Sequence, residues 1–150
     1  MKRPKLAVTA MDKLIAELVR KTGHKTLAIW AADCAERVLP YFEEKYPADT
    51  RPREAIEATR EWARTGIFRM ADVRKTSLAA HAAAREVEEY HPARSAARAA
   101  GQALATAHVP GHSIAAAIYA ATAVRDATKS PEADAATVKE RDWQYRHCLN

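Results

Sequence analysis

Residues 114–124 read Ile-Ala-Ala-Ala-Ile-Tyr-Ala-Ala-Thr-Ala-Val, a run that is apolar on nearly every side when it is wound as an α-helix. Alanine is the best helix former, and a helix that is apolar all round belongs in a protein interior. We therefore predict a helix over about 112–128 at the centre of a helical bundle. Its eleven apolar or small residues are too few to cross a bilayer, which takes about 20.

Six further helices are predicted around this centre from apolar residues that recur every three or four positions and from residues that end helices. They begin near residues 11, 25, 52, 69, 92 and 131. Thr9 and Asp12 form a capping-box pattern before the first of them. Pro40 either ends or kinks the second. The fourth is expected over 69–90, the fifth over 92–108, and the seventh with Ser130 as its cap and Pro131 at its first position.

The composition agrees with an all-α protein. Of the 150 residues, 35 are alanine, and 48% of the chain is hydrophobic. No segment alternates apolar and polar residues as a half-buried strand does. The connections between the predicted helices are short, which favours antiparallel neighbours. We expect one domain over 1–150, with a core over about 9–147, built as a single bundle of about seven antiparallel helices.

The turns set an approximate register between neighbouring helices. Folding about residues 90–92 places His81 opposite Gln102, and folding about residue 48 places Cys34 opposite Trp62. Trp30 and Trp62 are therefore expected to be buried on facing helices. A glycine inside an alanine-rich helix costs about 1 kcal/mol against alanine. Gly101 is thus expected to pack closely against a neighbouring helix.

The net charge of +5 comes entirely from residues 1–75, which hold 16 basic and 11 acidic groups. This excess suits an acidic protein partner or a phosphate, although mixed charges of both signs also describe an ordinary solvated surface. The chain has no recognition helix rich in Arg, Lys and Asn, no aromatic RNA-binding motif and no zinc finger. Nucleic acid is therefore not expected as a partner, and neither is a membrane.

A candidate binding groove lies between the predicted fourth and fifth helices. His81 and Arg85 share one flank of the fourth helix, and Arg98 and Gln102 lie in a row on the fifth. Because a guanidinium group binds carboxylate or phosphate with two parallel hydrogen bonds, these four side chains could hold an anion or an acidic protein surface. The alternative is that the chain's own acids close the groove, the candidates being Glu88, Asp33 and Glu36.

No catalytic motif or cofactor site is present, and no cofactor is predicted. His108 and His112 have the spacing of two metal ligands on one helix, but Pro110 and Gly111 interrupt it, so a metal there is only a weak alternative. Cys34 lies on the apolar stripe of its helix and is expected to be buried and unreactive. Two cysteines far apart and no apolar segment after the basic N-terminus suggest a cytoplasmic protein.

Several stretches resemble a bacterial family known as putative immunity proteins, which is likened to the fifth class of polymorphic-toxin immunity proteins. The resemblance covers about residues 24–120, and its most specific stretches are Trp-Ala-Ala-Asp-Cys-Ala-Glu-Arg-Val-Leu-Pro at 30–40 and Gly-Gln-Ala-Leu-Ala-Thr-Ala-His-Val at 101–109. It implies a helical, non-enzymatic module that binds a protein and neutralises a toxin by steric blocking. A small helical enzyme or a metal-binding protein is the alternative.

Overall fold

Seven α-helices make up the regular structure of residues 4–150, the part of the chain that the computed structural model describes. They are α1 (Asp12–Arg20), α2 (His24–Lys45), α3 (Arg51–Thr65), α4 (Met70–Arg85), α5 (Pro92–Ala105), α6 (His112–Ala127) and α7 (Ala133–Leu149). No strand occurs among these residues, so the predicted all-α fold with seven helices is confirmed. Within the same range, no helix combines the length and the hydropathy that crossing a membrane requires.

Two alanine-rich helices share the centre of the bundle. Helix α5 packs against α2, α3, α4 and α6, and helix α6 packs against α1, α2, α5 and α7. Alanine provides 23 of the 35 buried apolar residues in the described part of the chain, so the helix backbones come close together. A continuous core runs from Ile15 on α1 to Cys148 on α7. The predicted central helix is confirmed, although Ile114, Ile118 and Tyr119 on one side of α6 are only partly buried.

Helix α2 is 22 residues long and continues past Pro40 without a break. A proline inside a helix removes one backbone hydrogen bond. Pro40 lies on the exposed side of α2, where water can satisfy the carbonyl group that loses its partner. Of the two predicted alternatives, the one in which Pro40 ends the helix is therefore wrong.

Three predicted helix ends differ from the structure. Helix α4 ends at Arg85 because residues 86–90 form a turn that closes with Tyr90 in a left-handed conformation (φ 64°). Helix α5 ends at Ala105, three residues early. Helix α7 begins at Ala133, without a side-chain cap, after a cis Ser130–Pro131 peptide. The capping box predicted at Thr9 and Asp12 forms only in part. The backbone N–H of Thr9 donates to Asp12 Oδ2 at 3.2 Å, but the Thr9 hydroxyl accepts from the Met11 N–H and donates to Asp12 Oδ1, and α1 begins at Asp12 with Met11 as its cap.

The two tryptophans on α2 and α3 have different environments. Trp30 is 2% exposed, and its Nε1 donates to the Gln144 carbonyl oxygen at 2.8 Å. Trp62 is half-buried, with its ring centroid 4.8 Å from that of His24. Helices α2 and α3 do pack together, but the predicted burial of Trp62 is wrong. Its side chain lines an open hollow between α3 and α4.

Candidate functional site

The antiparallel packing of α4 and α5 brings the predicted groove together. Arg98 Nη1 donates to His81 Nδ1 at 2.9 Å. A Cβ atom on Gly101 would lie 2.7 Å from His81 Nε2, and Ser77 Oγ donates to the Gly101 carbonyl oxygen at 2.9 Å. His81 therefore lies beside Gly101, one residue from the predicted register with Gln102. The close approach predicted at Gly101 is also present.

The other two predicted residues flank this contact. His112 Nδ1 donates to Gln102 Oε1 at 2.8 Å, which connects the start of α6 to α5. Arg85 is exposed at the end of α4, near enough to act on the charge of both His81 and Arg98. All four predicted residues thus lie in one neighbourhood, together with Arg94 from the same row of α5. We call His81, Arg85, Arg94, Arg98 and Gln102 the arginine cluster.

Burial and positive charge control protonation in this cluster. Burial, together with the positive charges of Arg98, Arg85 and His112, lowers the pKa of His81 to about 4. His81 is therefore neutral at neutral pH, and its Nδ1 accepts the hydrogen bond from Arg98. Burial also lowers the pKa of Arg98, as do Arg94 and Arg85, against an opposing effect of Tyr119. The cluster is a cationic surface whose charge comes from arginine alone.

None of the acids considered as internal partners reaches the cluster. Glu88 pairs with Lys45 at 3.1 Å, while Asp33 and Glu36 both pair with Arg60. Over residues 4–150, Arg85, Arg94 and Arg98 form no ion pair with a carboxylate, and Arg94 Nη1 donates to the Val87 carbonyl oxygen instead. Among the described residues, the chain's own acids therefore do not close the groove.

A cavity of about 300 Å³ opens next to the cluster. Arg94, Arg98 and Tyr119 form part of its wall. Two acids also line it, and each has a cation of its own: Glu89 lies 3.4 Å from Lys5, and Asp126 lies 3.0 Å from Arg125. The cavity therefore exposes guanidinium groups, a phenol and paired charges to solvent.

Comparison with known proteins identifies the family. The profile of the Imm-5 like putative immunity protein family matches residues 17–150. This chain belongs to that family. No curated protein and no solved structure shows a significant similarity to it. Membership of an immunity-protein family implies a protein partner, and the matched range includes every residue of the arginine cluster.

In this family member, the two histidines considered as metal ligands have other contacts. His108 stacks on Phe68 with ring centroids 5.8 Å apart, and His112 is bonded to Gln102. No group of three or more His, Cys, Asp or Glu side chains that could hold a metal ion occurs in the described part of the chain. In the structure, His108 therefore takes part in ring stacking and His112 in a hydrogen bond.

Cys34 is buried, as predicted. Burial raises its pKa well above the usual value for a thiol, and the negative charges of Glu140 and Asp33 act in the same direction. A thiolate is the reactive form of cysteine, so Cys34 is unreactive. Asp33 instead accepts hydrogen bonds from Arg60 and His147 at 2.7 and 2.8 Å, which ties α2 to α3 and α7.

Tyr119 and His112 were not singled out from the sequence as parts of the groove. Both lie on α6, whose alanine-rich pattern predicted only burial. One signal was available, since Tyr119 is the sole aromatic residue of residues 113–127. A large side chain in a helix of alanines needs a place at the edge of the core, and here that place is the wall of the cavity beside Arg98.

Proposed function

We propose that this protein is the immunity partner of a bacterial toxin, which it binds and neutralises by covering the toxin's active site. Family membership supports an immunity role. The observation that carries the proposal is the arginine cluster. Eight described arginines pair with carboxylates, namely residues 37, 51, 53, 60, 64, 125, 141 and 146. Arg85, Arg94 and Arg98 gather on one face without such a partner.

The chemistry of the cluster favours an acidic partner surface. Guanidinium groups recognise carboxylates through two parallel hydrogen bonds. Arg85 is exposed, and Arg98 is half-buried in the wall of the open cavity, so both can reach a carboxylate on a protein that docks over α4 and α5. Phosphate offers the same geometry, but a family of immunity proteins favours a protein as the source of the anion. We therefore propose that His81, Arg85, Arg98 and Gln102 bind Asp or Glu side chains of the toxin.

The proposal places the interaction in the cytoplasm. Cys34 and Cys148 are free thiols in the folded chain, a state that a reducing compartment maintains. An immunity protein there would meet its toxin inside the producing or neighbouring cell. Blocking by occlusion needs no catalytic group on this chain, which fits the binding chemistry of the cluster.

The test is co-expression with a toxin domain encoded next to the gene. We expect the wild-type chain to rescue growth and to bind the purified toxin domain. Arg85→Glu should weaken binding by at least about tenfold, because it places a like charge against an acidic surface. The double variant Arg85→Ala, Arg98→Ala should do the same. Isothermal titration calorimetry measures the affinity, and circular dichroism measures the thermal midpoint of each variant.

A matched control is available on other helices. Arg20→Ala with Lys139→Ala removes the same charge from exposed positions on α1 and α7 that form no ion pair among residues 4–150, and it should leave the affinity within about twofold. Equal affinity of the cluster and control variants would refute the cluster as the binding site. Absence of rescue and binding by the wild-type chain, for every toxin domain encoded beside it, would refute the immunity role.

A further inference from the structure

A group of exposed apolar side chains surrounds the beginning of α4. Five of the eleven large apolar residues that are exposed in the described chain belong to it, with exposed fractions from 36 to 62%: Ile67, Phe68, Met70, Leu78 and Val109. Phe68 stacks on His108, the residue before Val109. We call these five residues the apolar platform. Clustered exposure of this kind marks an interaction surface more often than a random scatter does.

Two hollows give the platform its shape. One measures about 220 Å³ and is lined by Met70, Val73 and Leu78 among others. The other measures about 230 Å³ and is lined by Trp62, Ile67 and Val73 among others. Val73 borders both, so the hollows lie on either side of it. Each is smaller than the roughly 300–1,000 Å³ of a typical small-molecule pocket, and each suits one or two side chains of a docking protein.

The residue types match those that anchor protein interfaces. Aromatic residues, methionine and arginine are enriched there, and anchors occupy preformed pockets near the centre. The platform offers Phe68 and Met70, with the half-buried Trp62 in the wall of one hollow. Phe68 is stacked on His108 and Trp62 packs against His24, so a partner would not need to order these two rings on binding.

The charges around the platform select the kind of partner. Arg69, Arg74 and Lys75 are exposed beside it and form no ion pair with any residue over 4–150. Two acids, Asp72 and Glu61, line one of the hollows, and Glu61 already pairs with Arg64. A second copy of this chain docking through the same face would bring these cations together, which opposes self-association. A partner with acidic residues around an apolar centre would be attracted instead.

We propose that the apolar platform is the anchor of an interface with a protein that presents Leu, Phe or Trp side chains surrounded by Asp and Glu. The inference rests on the proposed function and adds where the toxin docks. Helix α4 has 16 residues and is about 24 Å long, with the platform at its start and Arg85 at its end. One partner burying about 800 Å² on each side covers both surfaces.

Matched serine variants test the platform against the toxin domain. Met70→Ser with Leu78→Ser removes two side chains of 44 and 55% exposure. Leu14→Ser with Val138→Ser removes two of 47 and 48% exposure from α1 and α7 and is the control. We expect the platform variant to lose at least about a hundredfold in affinity and to lose growth rescue, while the control stays within about threefold. Thermal midpoints within a few degrees of each other show that both variants fold.

The outcomes separate this inference from the immunity role. Tight toxin binding by the platform variant overturns the platform and leaves the immunity role standing. If the wild-type chain neutralises no toxin, selection from a displayed library of random 12-residue peptides decides the platform alone. Enriched peptides with acids around Leu, Phe or Trp, which bind the wild type and not the platform variant, support it. Peptides that bind both equally, or a wild-type dimer that the platform variant abolishes in light scattering, overturn it.

Discussion

Gly101 is the residue at which α5 makes room for a side chain of α4. A Cβ atom at this position would collide with three atoms of the His81 ring, all within 2.9 Å, whereas a Cβ atom at any of the other three glycines would have no neighbour within 4 Å. The ring is held from its other side by Arg98. A glycine here thus sets the distance between two helices and fixes one residue of the arginine cluster.

A double-mutant cycle measures this contact. Gly101→Ala should destabilise the wild-type protein, because the new methyl group displaces the His81 ring. In a His81→Ala background the same change should stabilise by about 1 kcal/mol, the helix propensity difference between the two residues. Gly101→Leu should cost about 1–3 kcal/mol through overpacking. Denaturant unfolding measures all of these, and equal effects of Gly101→Ala in the two backgrounds would show that the contact has no energetic weight.

His81 makes stability depend on pH in a defined window. Its pKa is lowered from 6.5 to about 4 in the folded state, so the unfolded chain binds a proton more readily between those values. Stability therefore rises with pH through the window and falls as pH drops from 6.5 towards 4. As the pH falls from 6.5 towards 4, we expect the free energy of unfolding to drop less in the His81→Asn variant than in the wild type. The difference is about 1 kcal/mol after allowance for the part-exposed ring.

Thermal midpoints of both proteins at pH 7 and pH 4.5 provide the measurement. Other groups titrate in the same range, but they are common to both proteins and cancel in the difference. Parallel loss of stability in the two would contradict the role given to His81.

Helix α7 is the element whose inner face is polar. Six positions on one side of it are buried, and four of them are polar or charged: Ala133, Thr137, Glu140, Arg141, Gln144 and Cys148. The large apolar residues of α7 lie elsewhere, since Val138 is exposed and Trp143 is half-buried beneath the Arg37 guanidinium at 3.8 Å. Glu140 pairs with Arg37 at 2.8 Å. This helix is positioned by directed hydrogen bonds more than by an apolar stripe.

Gln144 connects three elements and is 0% exposed. Its Nε2 donates to the Ala117 carbonyl oxygen at 2.9 Å, and its Oε1 accepts from Arg141 Nη1 at 2.8 Å. Gln144→Ala should cost about 1–3 kcal/mol, because it leaves the buried Nη1 donor of Arg141 without its partner and removes the second hydrogen bond to the Ala117 carbonyl oxygen. Lys139→Ala on the exposed side of α7 should change stability by less than about 0.5 kcal/mol. Similar urea midpoints for the two variants would rule out a structural role for this network.

At the scale of the whole molecule, charge is divided between two kinds of surface. Ion pairs join α2 to α3 through Arg53–Glu43 and Arg60–Asp33, and α2 to α7 through Arg37–Glu140. The cations of α4 and the arginine cluster have no such partners among residues 4–150. The resulting field attracts acidic partners from solution. Helix α4 carries Arg85 of the cluster and also Met70 and Leu78 of the apolar platform.

The alanine core explains why a bundle of short helices can enclose so many polar contacts. Small side chains let α5 and α6 approach their neighbours closely, at the expense of apolar area buried per residue. No buried side-chain nitrogen or oxygen atom lacks a hydrogen bond in the described part of the chain. Close packing and complete hydrogen bonding together replace the large aliphatic residues that other bundles use.

Local sequence determined the number of helices and one of the two at the centre. Apolar repeats and helix-ending residues act within a few positions of the chain, which is why the 112–128 helix and the contact between Thr9 and Asp12 before α1 were predictable. The register of α4 against α5 also followed from the sequence, because the short turn between them leaves little freedom. That register placed His81 next to Gly101 and brought the four groove residues together.

Only the tertiary structure decided which surfaces and which side chains are covered. Trp62 and Trp30 both lie on apolar stripes, but α7 covers Trp30 while an open hollow leaves Trp62 half-exposed. The polar inner face of α7 was not predictable, since its partners Asp12, Ala117 and Arg37 are distant in the chain. The unpaired arginines and the apolar platform have the same origin. Whether a basic side chain forms an ion pair, or a leucine side chain is buried, depends on contacts that form only when helices distant in the chain pack together.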